Sequence, residues 1–262
     1  DFCLSRGLGD VYKRQHYKNK ITYLPDEKKT TVMDGHGGYM NGSRYYGEDL
    51  PINTWYMKRF AGLSEDGLSL WYYTDKETNE EKTTTTYSTG DFYLCGDPNP
   101  DLYGGFGTSI TFHGFDLSTQ FSYLVGGLTY DYGYAGMMGN PTATSVGNRW
   151  HKDVLKAWSP ENPSSTIPRW YFNDLNTTGS SDRFLIDGSY LNLQNIQVRY
   201  TLPDSWTSHL KIKNLRLYFV CDNVYYWSKR KGLDPRRSIS GVGTSGKIAP
   251  FRTYSGGISL QF

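Results

Sequence analysis

Cysteine is scarce in this sequence. There are three in 262 residues, Cys3, Cys95 and Cys221, far apart and without CxxC spacing. That pattern argues against a disulfide framework or a zinc site, and free thiols are expected. No apolar run approaches the roughly 18–20 residues of a membrane helix, which excludes a helical membrane protein. A membrane barrel is not excluded, because only alternate barrel residues meet lipid; the mean hydropathy of −0.62 fits either case. Charge of one sign is missing as well. The 28 basic and 26 acidic residues are interspersed without a basic stripe, so no nucleic-acid partner is expected. The five histidines, His16, His36, His113, His151 and His209, form no HExxH or i, i+4 pair. No metal or other cofactor is expected. No Ser or Cys sits in a nucleophile-elbow context, and no glycine loop is built to cradle phosphate. Asp66, Asp75, Asp97 and Asp101 lie in loop-like stretches, and sequence spacing cannot set the carboxyl separation that glycosidases need. No catalytic residue is proposed, and the chain is not expected to be an enzyme.

Aromatic residues are abundant: 23 Tyr, 12 Phe and 7 Trp make up 16% of the chain. A β-rich fold, sugar-binding surfaces and the aromatic girdle of an outer-membrane barrel all produce such a bias. The pattern that organises the chain is Gly105–Val125. Phe106, Thr108, Ile110 and Phe112 share one parity, against Gly105, Gly107, Ser109, Thr111 and His113. After Gly114 the alternation restarts, with Phe115, Leu117, Thr119, Phe121, Tyr123 and Val125 against Asp116, Ser118, Gln120 and Ser122. Two period-two runs joined by a very tight turn predict a β-hairpin.

Along the rest of the chain, residues 1–15 lack alternation and resemble a translated sequencing-adaptor peptide. They are set apart from residues 16–262 and are expected to take no part in the fold. A short strand is expected over His16–Leu24, a loop over Thr30–Pro51, and aromatic strands over Trp55–Leu63 and Leu68–Thr74 around a turn at Gly67. Lys76–Thr86 reads as a solvated loop, and Gly96–Pro100 cannot be regular structure. Thr129–Asp182 is far longer than an ordinary connection and so is expected to be functional or disordered. Its tyrosines and tryptophans argue against disorder. Phe184–Leu202 is a strand whose apolar parity slips between Leu193 and Ile196, as a β-bulge at Gln194-Asn195 would cause. Lys211–Trp227 alternates again, Ser228–Ala249 is a second long loop, and the terminal strand presents Tyr254, Gly256, Ile258, Leu260 and Phe262 on one face. Long and short connections therefore alternate strictly, as in an outer-membrane barrel with short periplasmic turns and long extracellular loops.

Several stretches resemble the C-terminal part of the SusC/RagA-type TonB-dependent outer-membrane transporters of Bacteroidetes. They are Arg59–Leu63 with Gly67 and Leu70-Trp71-Tyr72, Gly96-Asp97-Pro98-Asn99-Pro100 with Tyr103–Phe106, and Gly114-Phe115-Asp116-Leu117. Asn148-Arg149-Trp150, Pro168-Arg169, Asp187–Leu191 with Asn195, Tyr200–Pro203, Asp222-Asn223 and Lys231–Pro235 follow in order. The resemblance implies an all-β fold: about six antiparallel strands, plus a loop hairpin, of a plugged barrel of about 22 strands, with the plug and earlier strands lying outside this chain. It implies residence in the bacterial outer membrane and import of oligosaccharides or peptides with a SusD-like surface lipoprotein, energised through the TonB complex. The terminal strand resembles the signal read by the barrel assembly machinery, so Tyr254, Gly256, Ile258, Leu260 and Phe262 are candidates for that role. Phe106, Ile110, Phe112, Leu117, Phe121 and Val125 are expected to face outer-membrane lipid. The loop aromatics Trp71, Tyr72, Trp150, Trp158, Trp170 and Tyr171 are candidates for contact with substrate or lipoprotein, or equally for the cores of compact loops. A soluble carbohydrate-binding β-sandwich or a fragment of a glycan-processing enzyme would share the alternation and the tryptophans.

Overall fold

The computed structural model describes residues 7–142, 147, 149–174, 179–207, 211–229, 234, 236, 240–242 and 250–262. Cys3, Asn148, His209, Lys231–Leu233 and Pro235 lie outside the described residues. In chain order the strands are β1 (Gly7–Gln15), β2 (Thr31–Met33), β3 (His36–Asn41), β4 (Arg44–Gly47), β5 (Thr54–Lys58), β6 (Phe60–Leu63), β7 (Ser69–Thr74), β8 (Glu81–Thr84) and β9 (Phe92–Leu94). They continue as β10 (Leu102–Phe112), β11 (Phe115–Val125), β12 (Leu128–Tyr130), β13 (Leu185–Asp187), β14 (Tyr190–Thr201), β15 (Asn214–Ser228) and β16 (Thr253–Gln261). Among the described residues helix is confined to α1 (Tyr132–Met137), α2 (Asp204–Thr207) and short 3₁₀ turns.

The main sheet is six-stranded and antiparallel, in the order β1-β10-β11-β14-β15-β16. The hairpin expected at Gly105–Val125 is its centre. His113 and Gly114 both carry positive φ, +49° and +82°, the two-residue geometry that matches strand twist. Phe106 pairs with Phe121 and Ile110 with Leu117. The expected bulge is present. Gln120 pairs with Asn195 and Phe121 with Leu193, so Gln194 is the extra residue. Leu191 and Leu193 thereby join Ile196, Val198 and Tyr200 on one face.

A second body is built from the connections at the other end. β2-β3-β4-β5-β9 form a five-stranded sheet and β6-β7-β8 a three-stranded one, while β12 pairs with β13. Its buried core is Trp55, Met57, Tyr130, Met138 and Phe184, with Leu128, Tyr134, Val154, Ile167 and Leu185 packed around it. Thr129–Asp182 is thus folded against this core through its described residues, and α1 starts with the Asp131 side chain accepting from Tyr134 N–H at 2.9 Å.

Two expected strands are each divided between sheets, Trp55–Leu63 into β5 and β6 and Phe184–Leu202 into β13 and β14, and four other expectations are corrected. Thr30–Pro51 holds three strands, because Asp34-Gly35, with φ of +49° and +83°, and Gly42, at +59°, make tight hairpin turns between them. Lys76–Thr86 contains β8, whose threonines extend the β7 edge. His16–Leu24 forms no strand; Ile21 instead exchanges single bonds with the turn around Asp49 and Leu50. Finally, Gly7–Gln15 does join the fold, as an edge strand on β10. A free sheet edge accepts any extended segment, and the register shows what this one brings. Asp10 sits opposite Thr108 and Arg14 opposite Gly104, on the same face as Phe106 and Ile110.

One buried cation fastens the second body. Lys58 is almost inaccessible, and its ammonium donates to the carbonyls of Tyr87, Ser88 and Gly90 while lying 4.5 Å from the Tyr87 ring. Lys58→Met is expected to cost at least ~2 kcal/mol, since three carbonyls lose a charged donor. Denaturant unfolding should show the loss, and limited proteolysis should cut faster within Thr84–Gly90. Unchanged stability and cleavage would show that the ammonium is not the fastener.

Candidate functional site: a two-faced sheet and its loop crown

The six-stranded sheet has two chemically distinct faces. Pairing aligns Phe112, Ile110 and Phe106 of β10 with Phe115, Leu117 and Phe121 of β11. These continue into Tyr200, Val198 and Leu193 of β14, then Leu217, Phe219 and Tyr225 of β15. Ile258 and Leu260 of β16 complete the row. Among the described residues nothing packs on this face: Phe106, Ile110, Phe112, Leu117 and Val125 are each 39–49% exposed, and Ile258 is 66% exposed. Phe106 and Phe121 stack with centroids 4.6 Å apart. A contiguous apolar surface of this extent marks an interaction face rather than scattered surface residues. Aromatic rings cluster at both of its ends. Phe115 and Tyr200 lie 4.2 Å apart beside the tight turn, and Tyr225 and Trp227 lie 4.8 Å apart at the long-loop end.

The opposite face is polar and bonded across strands. Thr111 donates to Asp116 at 2.6 Å and Asn195 to Asp222 at 2.7 Å across strands, and Arg199 donates to Gln197 at 2.7 Å along β14. Gly105, Gly107, Ser109, Ser118 and Ser122 keep that face low on β10 and β11. The strand length suits a membrane. Eleven residues in each of β10 and β11 extend ~36 Å, and a tilt of about 45° gives ~25 Å of height, the thickness of a barrel's apolar band.

The six candidate loop aromatics do not converge on one site. Trp71 is fully buried between Phe60 and Tyr87, at 5.7 and 5.1 Å, and offers no surface to a ligand. Trp150 and Trp170 form a clasp, their rings perpendicular at 5.5 Å and both indoles donating to the Gly139 carbonyl at 3.1 Å. Trp158 covers Gly67, where any Cβ would come within 2.3 Å of the indole; Gly67 has the expected positive φ, +72°. Tyr72 is half-buried under the Arg59 guanidinium. Tyr171 alone is widely exposed, beside Phe172. Phe262 ends the chain exposed, beyond a β16 whose outer edge is unpaired in the described sheet.

Buried charges in the crown escaped sequence reasoning. Arg44 lies 3.1 Å from the Trp55 ring and donates to the carbonyls of Asn53 and Ser240; burial draws its guanidinium down to about 10, still protonated at neutral pH. Arg236 pairs with Asp234 at 2.8 Å and donates to Asn192 at 2.7 Å, tying the last long loop to the polar face of β14. For Arg44, as for Lys58, the available signal was an ionisable residue beside aromatic ones, in Arg44-Tyr45-Tyr46 and in Thr54–Phe60; Arg236, between Pro235 and Arg237, carried no such signal. Burial lifts the Cys95 thiol to about 11, and Cys95 and Cys221 are free. Among the described residues no cluster of three His, Cys, Asp or Glu is arranged for a metal.

Several known proteins are similar to this chain in sequence or in shape. No family model matches the chain. TonB-dependent receptor P3 of Formosa agariphila is 28% identical over 275 residues, covering 94% of this chain and 26% of that protein. TonB-dependent receptor SusC of Bacteroides thetaiotaomicron is 27% identical over 180 residues, covering 68% of this chain and 17% of that protein. The chain is a homologue of the TonB-dependent receptors. Its fold agrees: the RagAB peptide transporter superposes with a TM-score of 0.76 at 23% identity, covering 97% of this chain and 27% of that one. The chain therefore holds antiparallel strands of an outer-membrane receptor barrel, and it spans about a quarter of the length of the first curated relatives it matches. Its localisation is the bacterial outer membrane.

Asp182 makes the crown pH-sensitive. Burial raises its carboxyl above the ordinary 3.8, opposed by the Phe60 N–H and the Arg59 charge. The folded state thus holds this proton to a higher pH than the unfolded one. Stability from it is full below the ordinary aspartate value and fades as pH rises through the raised one. Asp182→Asn, which still accepts from Phe60 N–H, should be more stable than the parent at pH 7, the difference vanishing as pH falls below 4. Melting curves at the two pH values check this; an equal offset at both would contradict it.

Proposed function

We propose that residues 16–262 are the C-terminal barrel strands and extracellular crown of a SusC-like importer. In this reading Phe106, Ile110, Phe112, Leu117, Phe121 and Val125 face lipid, and Ser118 and Gln120 face the lumen. Residues 1–15 are foreign sequence, of which Gly7–Gln15 has settled on an open edge: Asp10 and Arg14 would stand in lipid, a placement that charged groups avoid in a bilayer. The cargo is an oligosaccharide or a peptide, the latter being what the RagAB proteins import. A SusD-like lipoprotein would cap the crown, with Tyr171, Trp150 and Trp170 nearest to the role of contact aromatics; Trp71 belongs to the core instead. Energy would come through TonB, by way of a plug domain. The chain alone, a few strands without closure, would not transport.

The observation that carries this reading is the sorting of the sheet into an uncovered apolar face and a bonded polar face, with every long connection gathered at one end. A soluble sandwich would cover the apolar face with a second sheet. Extraction of the receptor carrying this chain from washed outer membranes, followed by unboiled electrophoresis, tests it: a heat-modifiable band is expected, and recovery in the soluble fraction would contradict it. In the same receptor Phe262→Asp should lower outer-membrane levels several-fold, because the terminal ring is read during barrel assembly. Unchanged levels would remove the assembly role from Tyr254, Gly256, Ile258, Leu260 and Phe262.

A further inference from the structure

The long-loop end of β15 and β16 carries a feature that import does not use. A cavity of about 650 Å³ opens there, with Asn223, Tyr225, Trp227, Pro250, Arg252 and Tyr254 among its lining residues. Tyr225, Trp227 and Tyr254 belong to the apolar face and are 48–62% exposed. Arg252 precedes β16 with the parity of Tyr254, and donates to the Tyr254 hydroxyl at 3.4 Å. The backbone beneath it is fixed. Asn223 stands in the left-handed region, φ +51°, and its amide donates to the Phe251 carbonyl at 3.2 Å.

The other charges nearby are already engaged, including Arg236, which lines the same cavity. Asp222 accepts from Asn195, and Arg236 is held by Asp234 and Asn192. Among the described residues Arg252 has no carboxylate partner. A guanidinium without a carboxylate partner among the described residues thus lines the same cavity as exposed tyrosine and tryptophan rings, at the long-loop end of an apolar face. Tyrosine and tryptophan settle at the headgroup level of a membrane, and arginine matches phosphate oxygens in a bidentate fork.

We propose that Arg252, with the Tyr254 hydroxyl and the rings of Tyr225 and Trp227, forms a site for the phosphate-bearing headgroup of an outer-leaflet lipid. The site rests on the lipid-facing reading above and adds to it a specific ligand chemistry. It would pin the last hairpin of the barrel at a fixed depth, next to the loop that Arg236 ties down.

The test uses the receptor carrying this chain, purified in detergent and mixed with vesicles. One set is phosphatidylcholine alone, and the other adds a phosphomonoester lipid. Binding to the neutral vesicles is expected through the apolar face. The phosphomonoester lipid should tighten it about fivefold, equivalent to ~1 kcal/mol for one basic residue at an anionic surface. Arg252→Gln should lose that increment with neutral binding and near-ultraviolet dichroism unchanged, and Arg252→Lys should keep most of it. An increment that survives Arg252→Gln, or is absent from the parent receptor, overturns the site. Suppression of the increment by millimolar inorganic phosphate would assign the site to free phosphate and overturn the lipid. Failure to bind neutral vesicles would strike the lipid-facing reading itself, and the site with it.

Discussion

The register at Gln194 is the constraint on which the rest of the sheet depends. With Gln120 opposite Asn195 and Phe121 opposite Leu193, one residue is left over, and the parity of β14 changes at that point. Without it, either Leu191 and Leu193 or Ile196, Val198 and Tyr200 would fall among Gln197, Asn195 and Asp222. A one-residue slip moves every side chain to the wrong face. β15 answers in kind, with Asn223 in the left-handed region opposite the bulge. The apolar surface therefore runs unbroken from β10 to β16, and that continuity is what suits it to lipid.

The crown obeys different physics. It has a dry core around Trp55, Met57, Tyr130, Met138 and Phe184, but its segments are joined largely through buried cations that donate to backbone carbonyls. Lys58 reaches Tyr87, Ser88 and Gly90, and Arg44 reaches Asn53 and Ser240. Irregular backbone leaves many carbonyls without a ladder partner, and each buried one needs a donor. A long side chain with several N–H groups satisfies two or three at once. This accounts for a fifty-residue connection that is shaped around packed aromatics: the Trp150–Trp170 clasp on Gly139 is the same device with indoles in place of ammonium.

The sheet was largely readable from the chain because a half-buried strand writes its geometry at period two. Gly105–Val125, the bulge in Phe184–Leu202 and the terminal strand all follow from alternation alone. The crown was less readable. Its strands are three to six residues long, too short for a period to declare itself, and Thr30–Pro51 looked like a loop because its glycines and asparagine serve hairpin turns. His16–Leu24 had the alternation of a strand but lies beside turn residues that cannot offer it a ladder. The candidate aromatics were legible as a group and not singly: burial of Trp71 depends on Phe60 and on Tyr87, a residue from beyond β8, which no local pattern reveals. Gly7–Gln15 shows the reverse, a segment without strand logic that pairs along the edge of β10.

The membrane role of the sheet turns on which face of β11 meets lipid. The most direct measurement compares Phe121→Lys with Ser118→Lys in the receptor carrying this chain, by folding into bilayers and denaturant titration. Phe121 lies near the middle of β11 on the apolar face, and Ser118 points to the polar one. The account predicts a loss of ~2–4 kcal/mol for the first and little change for the second. Equal losses at the two positions, or a larger one at Ser118, would contradict it.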